Sequence, residues 1–308
     1  MEVWGGSQLT ARGVEMGGLD AWVYSKPFEQ ADGGGDVYYA SSCATGRINR
    51  LLLADVAGHG SAVAETATSL RGLMRRYVNY LDQTEFVRSM NRRFAEMSTA
   101  GTFATAVVTT FFAPTGRLSI CNAGHPQPLW YHAEQETWTL LLDAEDRRPA
   151  QNIPLGILGL ADYEQFDVHM QSGDMLVCYT DALSESRRPD GEMFGPEGLL
   201  EIATAVGKIP PENFIEAFLS RIAGTHPGNL AGDDVTVLLL RPNGRAPKIT
   251  VRERLSASTR FVGSLLRSLN PRAERPPLPD FSLANLGGAI FPRLNKRWRA
   301  APSRPPPP

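Results

Sequence analysis

Apolar positions along the chain change their spacing several times, and each spacing predicts a different kind of element. In four segments they recur every three or four residues, which predicts amphipathic helices. Ser61 and Thr84 are polar residues placed to cap the first two of these helices. The predicted helices lie at 63–78, 84–97, 196–206 and 211–222.

Strands are predicted in segments that lack the helical spacing and are rich in Val, Thr, Leu and aromatic residues. Thr102–Phe112 and Leu118–Asn122 flank the turn sequence Pro114-Thr115-Gly116, which predicts a hairpin. Other strands are predicted at 20–27, 37–43, 47–56, 129–132, 138–142, 163–170, 175–179 and 235–240. Because strand hairpins alternate with helices in pairs, the pattern favours a layered α+β domain over parallel βαβ winding.

The composition is typical of a soluble globular protein. Of the 308 residues, 42% are hydrophobic and 21% are charged, which is enough apolar material for a substantial core. No apolar run reaches the roughly 18–20 residues of a membrane-spanning helix, and the N-terminus lacks the pattern of a secretory signal. The three cysteines (Cys43, Cys121 and Cys178) are far apart and lack CxxC spacing. This argues against a disulfide framework or a zinc site and favours a cytoplasmic location.

The net charge of −2 hides an uneven distribution of charge along the chain. Residues 1–240 hold 17 Lys and Arg against 30 Asp and Glu, whereas residues 241–308 hold 14 against 3 and also 12 of the 23 prolines. The sequence therefore predicts a lead-in with the first strand at 1–30, an acidic domain at 31–241 and a basic, proline-rich tail at 242–308.

The tail leaves two interpretations open. Its composition is typical of a largely disordered segment. Residues 252–270 could instead form an amphipathic helix rich in Arg, and 290–298 mixes aromatic with basic residues. Such segments suit peripheral binding to an anionic membrane surface, an acidic partner or the acidic domain itself. Nucleic acid is not expected as a partner, because no recognised nucleic-acid-binding fold accompanies the charge.

Acidic residues recur where predicted strands meet loops. These positions are Asp36 after a glycine run, Asp55 before a Gly-rich turn, Asp181 after an apolar strand, and Asp233 with Asp234 before the last strand. If these strand ends converge, burial and mutual repulsion would raise the pKa values of the carboxyl groups unless cations neutralise them.

A cluster of this kind would contain only oxygen ligands. Without Cys or paired His, such a set favours Mg²⁺ or Mn²⁺ over zinc. Two ions about 3.5–4 Å apart could activate a water and neutralise a phosphoryl group. The alternative is that each Asp forms a turn or caps a helix, because Asp is common in turns. Spacing alone leaves both interpretations open.

Seven short motifs occur in one order between residues 30 and 240, and together they resemble a known family. They are Gly34-Gly35-Asp36-Val37-Tyr38-Tyr39, Asp55-Val56-Ala57-Gly58-His59-Gly60, Gly101-Thr102-Phe103-Ala104-Thr105, Asn122-Ala123-Gly124-His125-Pro126, Pro154-Leu155-Gly156, Tyr179-Thr180-Asp181-Ala182-Leu183 and Asp233-Asp234-Val235-Thr236. The chain is similar to the metal-dependent protein serine/threonine phosphatases (PPM, type 2C), in their bacterial branch like stage II sporulation protein E.

The resemblance implies a fold and a site. The fold is a four-layer αββα sandwich, two antiparallel sheets flanked by helix pairs, with two Mn²⁺ or Mg²⁺ ions at one end. The implied ligands are Asp36, Asp55 and the Val56 carbonyl for one ion, and Asp55, Asp181 and Asp233 for the other. The four carboxylates among them are also the implied catalytic residues. Asp234 would be a further ligand or would support the ligands from behind.

The resemblance also implies a function in signalling. The reaction is hydrolysis of phosphoserine or phosphothreonine, and the implied substrate is a phosphorylated STAS-domain anti-sigma-factor antagonist in partner-switching control of a sigma factor. Two alternatives stay open: a non-catalytic docking module of the same fold, and a small-molecule phosphohydrolase. The intact carboxylates argue against the first, and the shallow site typical of the family argues against the second.

Some positions depart from the family pattern or have two interpretations. Ala182 occupies a position that is commonly Gly in this branch, and Ala57 occupies the position of a His proposed as general acid in eukaryotic relatives. His59 either orients a phosphate or a water, or it is a hydrogen-bonding residue at the start of a helix. His125 is expected to hold the turn between two strands.

Overall fold

The computed structural model describes residues 2–6, 8–31, 33–43, 46–58, 63–80, 82–98, 101–142 and 152–245. In chain order the elements are β1 (Glu2–Gly6), β2 (Thr10–Met16), β3 (Leu19–Lys26), β4 (Asp36–Ser42), β5 (Ile48–Val56), α1 (Ala64–Tyr77), α2 (Gln83–Met97), β6 (Ala104–Phe112), β7 (Arg117–Ala123), β8 (Leu129–His132), β9 (Thr137–Leu140), β10 (Phe166–His169), β11 (Met175–Tyr179), α3 (Asp181–Ser184), α4 (Gly195–Val206), α5 (Pro211–Ala223) and β12 (Val235–Pro242).

The strands form two six-stranded antiparallel sheets. The first sheet has the order β1-β4-β5-β6-β7-β10, and the second has the order β2-β3-β12-β11-β8-β9. Helices α1 and α2 cover the outer face of the first sheet, and α4 and α5 cover that of the second. The fold is therefore the αββα sandwich of the α+β class that the sequence predicts.

The core has three apolar layers, and β5 shows why its strands are apolar on both faces. Leu51 and Leu53 pack between the two sheets, whereas Leu52 and Ala54 pack against the helices. Alternate residues of a strand point to opposite faces, so a strand buried on both sides needs a continuous apolar run. The apolar run in 47–56 follows from this position in the sandwich.

The predicted helices are confirmed, with one correction at a helix start. Helix α2 is capped by Asp82, whose side chain accepts hydrogen bonds from the amides of Thr84 and Glu85. Thr84 was the predicted cap. Asp82 is the better acceptor because its carboxylate serves two of the free amides of the first turn. Ser61, the expected cap of α1, lies outside the described residues.

Residues 1–30 contain more structure than the single strand expected there. Three strands lie in this range, and β1 pairs with β4 while β2 and β3 extend the second sheet. The sequence did not indicate β2 because the strand is mostly exposed, so that no apolar alternation marks it. Residues 252–270, for which an amphipathic helix was one of two interpretations, lie outside the described residues.

Register places several strand ends at one end of the sandwich. The start of β4 pairs with the end of β5, and the end of β5 pairs with the start of β6. In the second sheet the end of β11 pairs with the start of β12. We call this the acidic end, because the aspartates singled out from the sequence lie here.

Candidate metal centre

Two acidic residues face each other across neighbouring strands of the first sheet. Asp36 is the first residue of β4, Asp55 is next to last in β5, and the two are paired in register. Directly opposed residues of antiparallel strands have their side chains on the same face, with Cβ atoms about 4.5–5.5 Å apart. Asp36 is only 3% exposed. Strand pairing by itself therefore brings a buried carboxyl group and a partly exposed one together.

The second sheet holds the Asp36 carboxyl group. The Thr180 hydroxyl donates a hydrogen bond to Asp36 Oδ2 at 3.0 Å. Thr180 is fixed in turn by β12, because its amide donates to the Thr236 carbonyl and its hydroxyl accepts from the Thr236 amide, both at 3.0 Å. Since Asp36 belongs to the first sheet, this contact joins the two sheets at the acidic end.

The other acidic positions lie at the ends of two strands in the second sheet. Asp181 opens the short helix α3 just after β11, and Asp233 and Asp234 directly precede β12. Tyr179 of β11 is paired with Val237 of β12 in antiparallel register. The end of one strand therefore lies beside the start of the other, which brings these aspartates to the same end as Asp36 and Asp55.

Asp234 fastens the chain that leads to Asp36. Its Oδ1 accepts the amide hydrogen of Phe28 and its Oδ2 accepts that of Gly35, both at 2.6 Å, and the residue is 3% exposed. A Cβ atom on Gly34 would collide with the Asp234 carboxylate, so this approach requires glycine. Both oxygens of a predicted metal ligand are thus hydrogen-bonded to backbone.

The glycine run also packs against the end of β5. The Val56 amide donates to the Gly35 carbonyl at 3.3 Å. A Cβ atom on Gly35 would lie 2.9 Å from the Val56 carbonyl oxygen. The Val56 carbonyl, a predicted metal ligand, therefore lies at the acidic end beside the loop before Asp36.

The pKa of Asp55 shows that the acidic residues influence one another. Burial is the first cause of its rise, and negative neighbours add to it, so that the pKa of Asp55 reaches about 9. The neighbours that raise it are Asp36, Asp181, Asp233 and Asp234. All of the acidic positions predicted from the sequence are therefore close enough for electrostatic interaction.

The pKa values of Asp36 and Asp181 are raised as well. Burial raises the pKa of Asp36 well above its ordinary value, and Asp234 adds to this, while a hydrogen bond from Thr236 opposes it. Burial is also the main cause of the raised pKa of Asp181, followed by the charge of Glu185. These carboxyl groups are in an environment that resists negative charge.

The residues present fit a divalent cation. All the donors are oxygen atoms, the ligand type that Mg²⁺ and Mn²⁺ prefer. A bound cation would relieve the repulsion that raises the pKa values of these groups. Across the described ranges, no three Asp, Glu, His or Cys side chains are already drawn around a single point. Strand register still brings these carboxylates to one end of the sandwich, which is where a cation would be held.

No sequence pattern indicated the residues that support the carboxylates. Thr180 holds Asp36 and is itself held by the Thr236 backbone, and neither threonine was singled out from the sequence. The available signal was a hydroxyl residue directly before Asp181 within one of the seven motifs. His59, for which two interpretations were open, lies outside the described residues.

The sequence matches a known family over most of the described domain. A family model described as stage II sporulation protein E (SpoIIE) matches residues 46–243. The phosphoserine phosphatase RsbU of Bacillus subtilis (strain 168) is 27% identical over 180 residues, which are 58% of this chain and 50% of that relative. The chain therefore spans half the length of this curated relative.

Two solved structures have a similar fold. The RsbU and RsbW domains of Rv1364c from Mycobacterium tuberculosis superpose with a TM-score of 0.61 at 22% identity, covering 84% of this chain and 71% of that one. The catalytic domain of the serine/threonine protein phosphatase PstP, in complex with 2 manganese ions, gives a TM-score of 0.50 at 19% identity, covering 72% and 97%. Similarity at this level of sequence identity establishes the fold. The activity has to be inferred from the residues of the site.

Proposed function

Because this chain belongs to the stage II sporulation protein E (SpoIIE) family, we propose that it is a metal-dependent protein phosphatase that hydrolyses phosphoserine and phosphothreonine. The observation that carries the proposal is the convergence of acidic residues from both sheets on one end of the sandwich. Asp55, whose pKa is raised to about 9, is the clearest sign of it. Like charges that are partly removed from water destabilise a fold unless a cation neutralises them, which supports a metal-binding role for this cluster.

We assign the carboxylates as metal ligands in the way that the family resemblance implies. The proposed ligands are Asp36, Asp55 and the Val56 carbonyl for one ion, and Asp55, Asp181 and Asp233 for the other. When bound, two Mn²⁺ or Mg²⁺ ions would acidify a water and neutralise charge on a phosphoryl group. Asp234 is assigned to support of the loop before Asp36, since both its oxygens accept backbone hydrogen bonds.

The chain itself would keep the ligands in place before a substrate arrives. Pairing of β4 with β5 fixes the spacing of Asp36 and Asp55, and Thr180 holds the Asp36 carboxylate from the opposite sheet. Groups that are already oriented need no rearrangement during the reaction, which lowers the barrier. The two-sheet architecture is therefore part of the proposed catalytic apparatus.

We propose a phosphorylated STAS-domain anti-sigma-factor antagonist as the substrate. Two observations support this choice: the relative RsbU is named a phosphoserine phosphatase, and a similar structure joins an RsbU domain to an RsbW domain. Asp55, Asp181 and Asp233 are partly exposed at the end of the sandwich. An open position of this kind suits a phosphorylated side chain on the surface of a folded protein.

The proposed domain division follows from the same assignment. Residues 31–241 would form the phosphatase domain, residues 1–30 would supply strands that complete both sheets, and residues 242–308 would form the tail. None of the helices in the described ranges is long and apolar enough to cross a membrane.

A comparison of three substrates tests the function. We expect the full-length protein to hydrolyse a phosphoserine peptide with Mn²⁺ or Mg²⁺ and to stop when EDTA removes the metal. It should act faster on the peptide than on nucleotides. Absence of metal-dependent turnover on the peptide and on p-nitrophenyl phosphate would favour the docking module. Faster turnover of nucleotides than of the peptide would favour the small-molecule phosphohydrolase.

A further inference from the structure

His125 is a buried histidine in the segment that crosses from the first sheet to the second. The crossing runs over residues 124–128, between the end of β7 and the start of β8. It lies at the acidic end, because β7 ends near the start of β6 and β8 starts near the end of β11. The His125 side chain is 0% exposed. A titratable ring is therefore enclosed between the sheets close to the proposed metal ligands.

On the side of the first sheet, the His125 ring contacts the strand next to Asp55. Nδ1 of His125 lies 2.9 Å from the Thr105 hydroxyl oxygen, and Thr105 in β6 is paired in register with Asp55. The turn before the ring is closed by Asn122, whose Oδ1 accepts the His125 amide at 2.7 Å and whose Nδ2 donates to the His125 carbonyl at 2.9 Å. The backbone thus fixes the position from which the ring reaches Thr105.

On the side of the second sheet, the same segment is held by Tyr179, the last residue of β11. The Tyr179 hydroxyl donates to the Gln127 carbonyl at 2.7 Å. Burial lowers the pKa of His125 to about 3, so the ring is neutral. Because Tyr179 lies two residues before Asp181, the crossing segment touches the strand that leads to a proposed ligand.

A histidine ring at this buried position is less favourable for stability than an apolar side chain would be. Nε2 of His125 has no hydrogen-bond partner in the part of the chain that the structure describes. An unpaired buried nitrogen destabilises a fold, whereas a Leu or Phe would fill similar space without that cost. A purely structural role therefore does not explain the choice of histidine here.

We propose that His125 is a positioning residue that sets the spacing between the strand pair bearing Asp55 and the strand that leads to Asp181. On one side it acts through its contact with Thr105, and on the other through the crossing segment that the Tyr179 hydroxyl holds at Gln127. It lies outside the set of metal ligands. The inference rests on the proposed function, in which Asp55 is shared by both ions and Asp181 belongs to one of them. A shift of one sheet end against the other would then weaken metal binding and slow the reaction.

Variants that remove each half of the contact, with a matched control, test the proposal in the full-length protein. His125→Leu removes the ring nitrogens, Thr105→Val removes the hydroxyl with little change in shape, and His125→Asn keeps a polar atom near the place of Nδ1. The control pair is His132 and Thr139, whose side chains are hydrogen-bonded at 3.0 Å at the far end of β8. His132→Leu removes a histidine–threonine contact of the same kind away from the acidic end.

Three measurements are needed: Mn²⁺ affinity by calorimetry, the urea midpoint of unfolding, and kcat and KM on a phosphoserine peptide. We expect His125→Leu and Thr105→Val to weaken Mn²⁺ binding at least tenfold and to lower kcat at saturating Mn²⁺ at least tenfold. KM for the peptide should change less than twofold, and His125→Asn should lose less than His125→Leu. His132→Leu should change only the urea midpoint.

The measurements of Mn²⁺ affinity, kcat and folding separate three outcomes. If Mn²⁺ affinity and kcat of Thr105→Val and of the His125 variants stay within twofold of the parent, His125 has no positioning role, whatever happens to the urea midpoint. If His125→Leu does not fold, Thr105→Val and His125→Asn decide the question by the same measurements. If the parent protein neither binds Mn²⁺ nor turns over, the proposed function itself is overturned.

Discussion

Two neighbouring aspartates in this structure have different surroundings. Asp233 is partly exposed, and its carboxylate accepts the amide hydrogen of Asp234 at 2.7 Å. Asp234 is buried, and both its oxygens accept amide hydrogens from the loop before Asp36. At the scale of single residues, adjacent carboxylates with the same chemistry therefore have different proposed roles, one as a metal ligand and one as a support.

The first prediction concerns Asp55, the proposed shared ligand. Asp55→Asn should lower the Mn²⁺-dependent kcat by about 10³-fold or more, because it removes the anionic ligand that both ions would share. The measurement is turnover of a phosphoserine peptide at saturating Mn²⁺. Near-parental activity of the purified variant would contradict the two-ion assignment.

The second prediction is the pH dependence of stability without metal. The pKa of Asp55 is raised to about 9 in the fold and is about 3.9 in an unfolded chain, so the folded state binds more protons between these values. Stability in EDTA should therefore fall as the pH rises from about 5 to about 9. Asp55→Asn should make this decline shallower, because the substituted residue does not titrate. Thermal melts across this pH range check it, and an equal slope in the parent and the variant would refute it.

The third prediction separates Asp234 from Asp233. Asp234→Ala should destabilise the protein by about 2 kcal/mol, because one buried and one partly buried amide lose their acceptor. It should also speed hydrogen exchange in residues 28–36. Asp233→Ala is the matched control and should weaken Mn²⁺ binding without faster exchange in that segment. Exchange that is equal in the two variants would show that Asp234 does not hold the loop.

At the scale of elements, a buried arginine attaches the helix pair to the first sheet. Arg50 in β5 is 3% exposed. Its Nη1 donates to the carbonyls of Val78 and Tyr80 at 2.7 and 2.9 Å, and its Nε donates to the Thr110 hydroxyl at 2.9 Å. These carbonyls follow the end of α1 and lack helical partners, so the arginine satisfies groups that would otherwise be buried without one.

The fourth prediction follows from these contacts. Arg50→Ala should lower the free energy of unfolding by about 3 kcal/mol, because the carbonyls after α1 lose their donor and a cavity forms under the helices. Urea unfolding measures the change. Arg93→Ala is the control, since Arg93 forms a surface ion pair with Glu96 at 2.8 Å, and should cost no more than about 0.5 kcal/mol. Similar costs for the two variants would contradict the anchoring role of Arg50.

At the scale of the whole molecule, the chain up to residue 240 is acidic and the chain after it is basic. The described chain ends at the sandwich end opposite the acidic end, where Asn243 Nδ2 donates to the Met16 carbonyl at 3.1 Å and to Asp20 Oδ1 at 2.8 Å. Arg245 forms an ion pair with Glu15. The last described residues therefore lie at the opposite end of the sandwich from the proposed metal ligands.

The fifth prediction concerns this tail as a basic anchor. Deleting residues 246–308 keeps the contacts of Asn243 and Arg245 and should leave turnover of p-nitrophenyl phosphate unchanged. It should abolish salt-sensitive binding to anionic vesicles, because most of the excess positive charge is removed. Vesicle sedimentation at low and high salt measures this. Equal binding of full-length and truncated protein at low salt would mean that the tail is a spacer.

Local patterns in the sequence determined the elements and their class. The helical spacing in 84–97 reflects burial of one helix face, and the apolar run in 47–56 reflects burial of both faces of a strand. Burial restricts the residue types at these positions, so it can be detected in the sequence. The acidic positions were identified too, because a carboxylate beside a glycine-rich turn at a strand end is visible in the sequence alone. β2 was missed because a mostly exposed edge strand has no apolar pattern in its sequence.

Tertiary structure alone decided which residues support the carboxylates. Thr180 holds Asp36 although 144 residues separate them, and Asp234 binds the amide of Gly35 across 199 residues. His125 meets Thr105 only because the chain crosses between sheets at the acidic end. Sequence patterns record whether a side chain is buried, since burial restricts residue type, but the choice of partner depends on strand register and on how two sheets pack, which no local pattern contains.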